Sequence, residues 1–254
     1  MTGVPAIRVE DLYYRYSRNA VDVLSGINLT VAPGRIMGLV GESGSGKSTL
    51  GRIIVNERRQ SSGVVEIEGR PWDKVRRTAD IRRSVQMIFQ DPYGSLNPYL
   101  TPMQAVVEAL RVTQGHRLAV ARSGASDLLH QVGLSEEHSH RSPSSLSGGQ
   151  RQRVVIARAL ACGPRIIVAD EPTSALDVSV QAQILNLLLT LQRDLGLTMV
   201  FISHDMAAVN HIADDVAVLQ HGRIVETGLV ADVLTNPQQE YTQRLLESFA
   251  PTAG

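Results

Sequence analysis

The chain has 254 residues, with 25 Lys plus Arg against 25 Asp plus Glu and a formal net charge of zero when histidine is neutral. That length carries one large α/β domain or two small ones, with a core that needs neither disulfide nor metal. The balanced charge gives no global positive field to attract nucleic acid or anionic lipid, so neither is expected as a partner.

The N-terminal MTGVPAIRVEDLYYRY lacks a basic-then-apolar leader, and no stretch anywhere approaches the ~18 consecutive apolar residues of a spanning helix. A soluble, cytoplasmic chain is expected. Residues 6–40 alternate or run apolar with few helix formers (IRVEDL, VDVLSGINLTV, Pro33-Gly34, IMGLV), which predicts a β-rich start.

Gly41 to Ser48 then read GESGSGKS, a G-x-x-x-x-G-K-[ST] pattern set between the apolar IMGLV and the helix-like TLGRIIV. Strand, glycine loop and helix in that order suit a phosphate. Glycines let backbone N–H groups curl round the anion, the helix start faces it, Lys47 neutralises charge and Ser48 can hold Mg²⁺. A plain Gly/Ser turn would show this pattern by chance in about one chain of this size per hundred. The strand-to-helix setting disfavours chance further.

Four short apolar runs follow: VVEIEG near 64, VQMIF near 85, IIVAD ending at Asp170 and TMVFIS ending at Ser203. Separated by helices, they predict a parallel sheet covered on both faces. Between Asp91 and Ser145 the β signal vanishes, and PMQAVVEAL and SDLLHQVGL carry helical periodicity, so a helical insertion is expected there. Leu146 to Gln150 read LSGGQ ahead of RQRVVIARALA. Ser147 is placed to cap that helix, and Gly148, Gly149 and Gln150 make its start a second anion-binding surface. Cys162, the single cysteine, excludes an intramolecular disulfide and reads as a packed residue in an apolar run.

The strand IIVAD ends in Asp170 and Glu171 before Pro172, and TMVFIS ends in His204 and Asp205. In open α/β sheets ligands sit at the carboxyl ends of strands, so Asp170 can order a Mg²⁺-bound water, Glu171 can polarise the attacking water, and His204 can reach a γ-phosphate. Either pair alone is better explained as a cap for the following helix. Three strand ends with complementary phosphate chemistry make capping the poorer account. From Asp214 a hairpin (DVAVLQ, His221-Gly222, RIVETG) and then helices through Leu246 complete the pattern.

With these motifs in order, the chain resembles the nucleotide-binding subunit of ABC transporters over nearly its full length. Gly41, Ser43, Gly44, Ser45, Gly46, Lys47, Ser48 and Thr49 match the Walker A loop, Gln90 the Q-loop and Leu146 to Gln150 the LSGGQ motif. Ile166 to Asp170 match Walker B, Glu171 the catalytic base, Ser174 to Asp177 (SALD) the D-loop and His204 the H-loop. Tyr16 lies where the family places an aromatic against adenine, although an aromatic there also serves as packing. The resemblance implies a single ABC-type P-loop NTPase domain of α/β class over 1–254, with ATP and Mg²⁺ as ligands and Ser48, Gln90 and Asp170 at the metal. It has an N-terminal antiparallel β-subdomain and a helical subdomain insertion at about 91–145 with LSGGQ at its end, with 1–35 and 214–228 as β-rich parts and 229–254 as C-terminal helices.

QDPYGSLNP (90–98), DVSVQAQIL (177–185) and NPQQEYTQRLL (236–246) resemble the branch that imports oligopeptides, dipeptides, or nickel and related metal chelates. Arg35 stands where this branch often has Glu, and the cysteine-bearing tail of many members has no counterpart here, so no iron–sulfur cluster is expected. The resemblance further implies two membrane-spanning permease subunits, a second ABC ATPase subunit (a paralogue in preference to an identical copy) and, indirectly, an extracytoplasmic solute-binding protein. The location implied is the cytoplasmic face of the membrane, with Gln90 linking the helical subdomain to the nucleotide. The alternative is a non-transport ABC ATPase or an accessory ABC subunit of a metabolic complex, which usually carries coiled-coil insertions, tandem cassettes or basic surfaces.

Overall fold

The computed structural model describes residues 3–17, 21–72 and 83–247. The end of the expected C-terminal helical stretch, 248–254, lies outside them. In chain order the first elements are β1 (Ile7–Tyr14), β2 (Leu24–Val31), β3 (Ile36–Val40), α1 (Lys47–Ile54), β4 (Ser62–Ile67), β5 (Arg70–Pro71) and β6 (Val85–Ile88). Helices follow: α2 (Pro92–Ser95), α3 (Pro102–Gln114), α4 (Leu118–Gln131), α5 (Glu136–Ser139), a 3₁₀ turn at Pro143–Ser145 and α6 (Gly148–Leu160). Next come β7 (Ile166–Asp170), α7 (Val178–Leu195), β8 (Thr198–Ile202), α8 (Met206–Ile212), β9 (Asp215–Gln220), β10 (Arg223–Leu229), α9 (Val230–Thr235) and α10 (Glu240–Glu247).

The chain divides into two compact units, one formed by the described residues up to Trp72 and from Gln192 onward, the other by those from Arg83 to Leu191. In the first unit, β2, β1, β4 and β5 form a four-stranded antiparallel sheet. Beside it β10, β9, β3 and β8 lie in that order, with β3 parallel to both β8 and β9, and β10 closing a hairpin on β9. Every residue of β3 and β8 is buried. Each large apolar side chain so placed contributes about 1.5–3 kcal/mol of transfer free energy. Trp72 fastens the far end of α1, its buried indole Nε1–H donating to the Ile54 carbonyl at 2.7 Å.

One sequence expectation is corrected here. VVEIEG was placed among the parallel strands buried on both faces, yet β4 pairs antiparallel with β1 and only Val65 and Ile67 are buried along it. Half-burial with period two is the signature of a strand with one covered face.

In the second unit β6 and β7 pair in parallel, Ile88 opposite Ala169. The described residues between 91 and 145 form helices and no strand. α3 begins with a capping box, Thr101 accepting from Gln104 N–H while Gln104 reaches back, with Pro102 in the first turn, and it stops at left-handed Gly115. Those signals explain its sharp limits.

Candidate nucleotide site

Loop 41–46 leaves the carboxyl end of β3, and Ser203 to Asp205 leave that of its parallel neighbour β8. The Ser203 N–H donates to the Leu39 carbonyl at 3.2 Å, so His204 and Gly41 emerge side by side, and both line a cleft of about 460 Å³. Gly46, with φ of 107°, turns the loop into α1. A Cβ there would lie 2.7 Å from Leu24 Cδ2, so glycine serves both conformation and space. Lys47 is buried and folds back, its Nζ donating to the Gly41 and Glu42 carbonyls at 2.7 and 2.8 Å. Ser45 is buried with no partner for its Oγ among the described residues, Thr49 is also buried, and Ser43 and Gly44 are exposed at the tip. Ser48 sits in the first turn of α1.

Tyr16 lies beyond the end of β1, 61% exposed. Its ring meets Tyr14 edge-on at 5.3 Å, and the Arg58 guanidinium sits 5.1 Å from its centroid. The aromatic is thus held by Tyr14 and Arg58 and is otherwise exposed.

The second unit gathers the other residues. Asp170 closes β7 and is buried, while Glu171 follows with φ of 45°, in the left-handed region that a non-glycine residue occupies at a cost of about 1–3 kcal/mol. Gln90, just past β6, donates from Nε2 to Glu171 Oε2 at 3.0 Å, so its amide holds the acid. The cap explanation holds for Asp205, which accepts from the Ala207 and Ala208 N–H groups, and leaves His204 exposed in its cleft.

At the start of α6, Ser147 and Gln150 make a reciprocal capping box. The following glycines suit close anion approach, and the structure adds a packing reason. A Cβ on Gly149 would meet Val180 Cγ1 of α7 at 2.4 Å, and one on Gly148 would meet Leu176 Cδ2 at 3.0 Å. The glycines therefore also let the SALD turn pack onto the helix start.

Three residues escaped the sequence argument. Arg151 is buried, donates to the Leu146 carbonyl and lies 3.7 Å from the centroid of Tyr93 in α2, while Arg158 donates to the Ser95 carbonyl. Together they fasten the segment after Gln90 to the LSGGQ helix. Their helical spacing of seven was the available signal, since it sets both on one face. Tyr241 of α10 accepts from the Glu42 N–H at 3.1 Å, and burial pushes its phenol above the ordinary range, keeping it neutral. Arg35, at a position often Glu in the branch, donates to Asp215 at 2.8 Å and so ties β3 to β9. Cys162 is half-buried, and burial raises its thiol pKa, as befits packing.

A larger cavity, about 1070 Å³, lies by α3 and α4, with Met103, Val107, Arg111, Val112, Leu118 and Arg122 among its lining. No helix among the described residues is long and apolar enough to cross a membrane.

The sequence matches the ABC transporter family over residues 24–174. It is 44% identical over 258 residues to the glutathione import ATP-binding protein GsiA of Escherichia coli (strain K12), covering 96% of this chain and 41% of the relative. This chain thus spans about two fifths of that relative's length. It is 44% identical over 239 residues to the oligopeptide transport ATP-binding protein OppF of Lactococcus lactis subsp. lactis (strain IL1403), covering 93% of this chain and 75% of the relative. Among solved structures, cbiO1 from Clostridium perfringens, part of the ABC transporter complex cbiONQ, superposes with a TM-score of 0.83 at 30% identity over 91% of each chain. A dimeric ATP-binding cassette in a post-hydrolysis state with ADP and Pi gives 0.78 at 30% identity, covering 88% of this chain and 98% of that one.

Proposed function

This chain belongs to the ABC transporter family, and on that premise we propose that it binds and hydrolyses ATP with Mg²⁺ to energise a membrane importer of peptides. The observation that carries the reading is the loop 41–46, whose glycines open it onto the start of α1 with Lys47 folded across its carbonyls. On binding, Lys47 exchanges those carbonyls for phosphate oxygens, and the loop N–H groups and the helix start complete the cradle. Tyr16 takes the adenine, and His204 the γ-phosphate. Glu171 orients and deprotonates the attacking water, while Gln90, bonded to it, holds the carboxylate in place.

Ser48, Gln90 and Asp170 offer a hydroxyl, an amide carbonyl and a carboxylate, oxygen donors of the kind a hard cation takes, so we assign Mg²⁺ to them. When bound, the ion neutralises charge on the phosphate oxygens. Ser147, Gly148, Gly149 and Gln150 serve the nucleotide held by a second ATPase subunit, a paralogue in our reading.

Glutathione and oligopeptides, the solutes named for the two relatives, are both peptides, which favours that class over metal chelates. The cavity by α3 and α4 offers a place for a short helix of one of two permease subunits at the cytoplasmic face, with an extracytoplasmic solute-binding protein delivering the peptide from the other side.

The test is ATP retention and phosphate release by the chain assembled with its permease in liposomes. Lys47→Ala should lose both. Glu171→Gln should keep ATP and slow release by orders of magnitude, and native turnover in that variant would remove Glu171 from the mechanism.

A further inference from the structure

We propose that Tyr241 is a positioning residue of the nucleotide site, the NPQQEYTQRLL segment acting as a strap that holds the phosphate loop in its binding shape. The inference rests on the reading that loop 41–46 binds ATP. The segment is anchored at its start by Glu226 of β10, whose carboxylate oxygens accept from the Gln238 and Gln239 N–H groups at 2.7 and 3.2 Å. Gln243 closes the turn by donating to the Pro237 carbonyl at 3.0 Å. From there α10 buries Tyr241, Thr242 and Leu245.

The strap bonds to the loop across a sequence separation of 199, the Glu42 N–H donating to Tyr241 Oη. The carbonyl of the same residue accepts from the Ser45 N–H at 3.2 Å as well as from Lys47 Nζ, so it stays held when Lys47 turns to the phosphate. Glu42 is therefore gripped through both its polar backbone groups, by Ser45 of the loop itself and by the last helix described. Preorganisation of this kind lowers the ordering cost of ligand binding.

The cleft of about 460 Å³ lined by Gly41, Glu42, His204 and Tyr241 decides what the phenol is for. With the hydroxyl removed, water in that cleft can satisfy the Glu42 N–H, so the fold loses little. What the loop loses is a fixed peptide orientation.

The experiment compares the full-length wild type with Tyr241→Phe, which keeps the ring and deletes only the oxygen, and with Leu245→Ala, which loosens the packing of α10. The readouts are Kd for Mg-ATP, the KM and kcat of hydrolysis, and Tm without nucleotide. Tyr241→Phe should raise Kd and KM by about three- to tenfold, the loss of one hydrogen bond, with kcat within about twofold and Tm nearly unchanged. Leu245→Ala should raise KM and lower Tm together. Wild-type affinity in Tyr241→Phe, or an affinity loss that merely tracks Tm in both variants, would overturn the role. Failure of the wild type itself to bind ATP would instead bring down the proposed function, and this inference with it.

Discussion

Gly46 shows how much one position can carry. The motif in the sequence marks it as a flexible turn residue, and its φ of 107° agrees. Its second constraint comes from Leu24 Cδ2 and the Val23 carbonyl, 2.7 and 3.2 Å from where a Cβ would stand. That contact joins the end of the loop to the start of β2, far apart in the chain, and was not legible in the local pattern. Gly46→Ala should therefore destabilise the chain by about 1–3 kcal/mol, read as a shift in urea midpoint, and also lose ATP affinity. Preserved stability would show that Leu24 and the backbone adjust freely. Glu171 poses the converse case, a side chain held at φ of 45° where glycine would be unstrained. A residue kept there against its backbone preference points to a need for its carboxylate.

Capping ties the short turns to the longer elements. Asp177, in the SALD turn, accepts from the Val180 N–H at 3.0 Å and from Ser179 Oγ at 2.8 Å at the start of α7, and those bonds hold its carboxyl below the ordinary range. A depressed folded-state pKa means that the contribution is complete above the unfolded value and is lost as pH falls through the folded one. The start of α7 should therefore loosen on acidification below the ordinary carboxylate range, seen as faster amide exchange around Val180, and Asp177→Asn should flatten that dependence. Exchange that stays acid-sensitive in the variant would assign it to another group. The Ser147 cap was readable because a capping box is local, confined to Ser147 to Gln150. The partner of β4 was not, because VVEIEG has the composition of a buried strand and nothing within it says that β1 lies alongside. The clasp of Arg151 on Tyr93 escaped for the same reason, with 58 residues between its ends.

Across the whole molecule, the sequence disclosed chemistry better than connection. Walker A, LSGGQ, the acidic strand end and His204 each sit within a few residues, and the structure sets them at strand ends or helix starts. The links that make them work together span long separations, such as Gln90 to Glu171 and Glu42 to Tyr241. Gln90→Ala should accordingly weaken solute-stimulated hydrolysis and transport by about tenfold, within the 1–3 kcal/mol usual for coupled sites, while ATP affinity changes far less. Unchanged transport in reconstituted vesicles would leave that link without a function. Trp72, the chain's single tryptophan, has its indole bonded to the last turn of α1, the helix whose first turn carries Lys47 and Ser48. A lone emitter wired to that rod makes the unlabelled protein its own optical gauge: a nucleotide titration followed by intrinsic fluorescence would read the rod directly, with no dye and no second chromophore of its kind to disentangle.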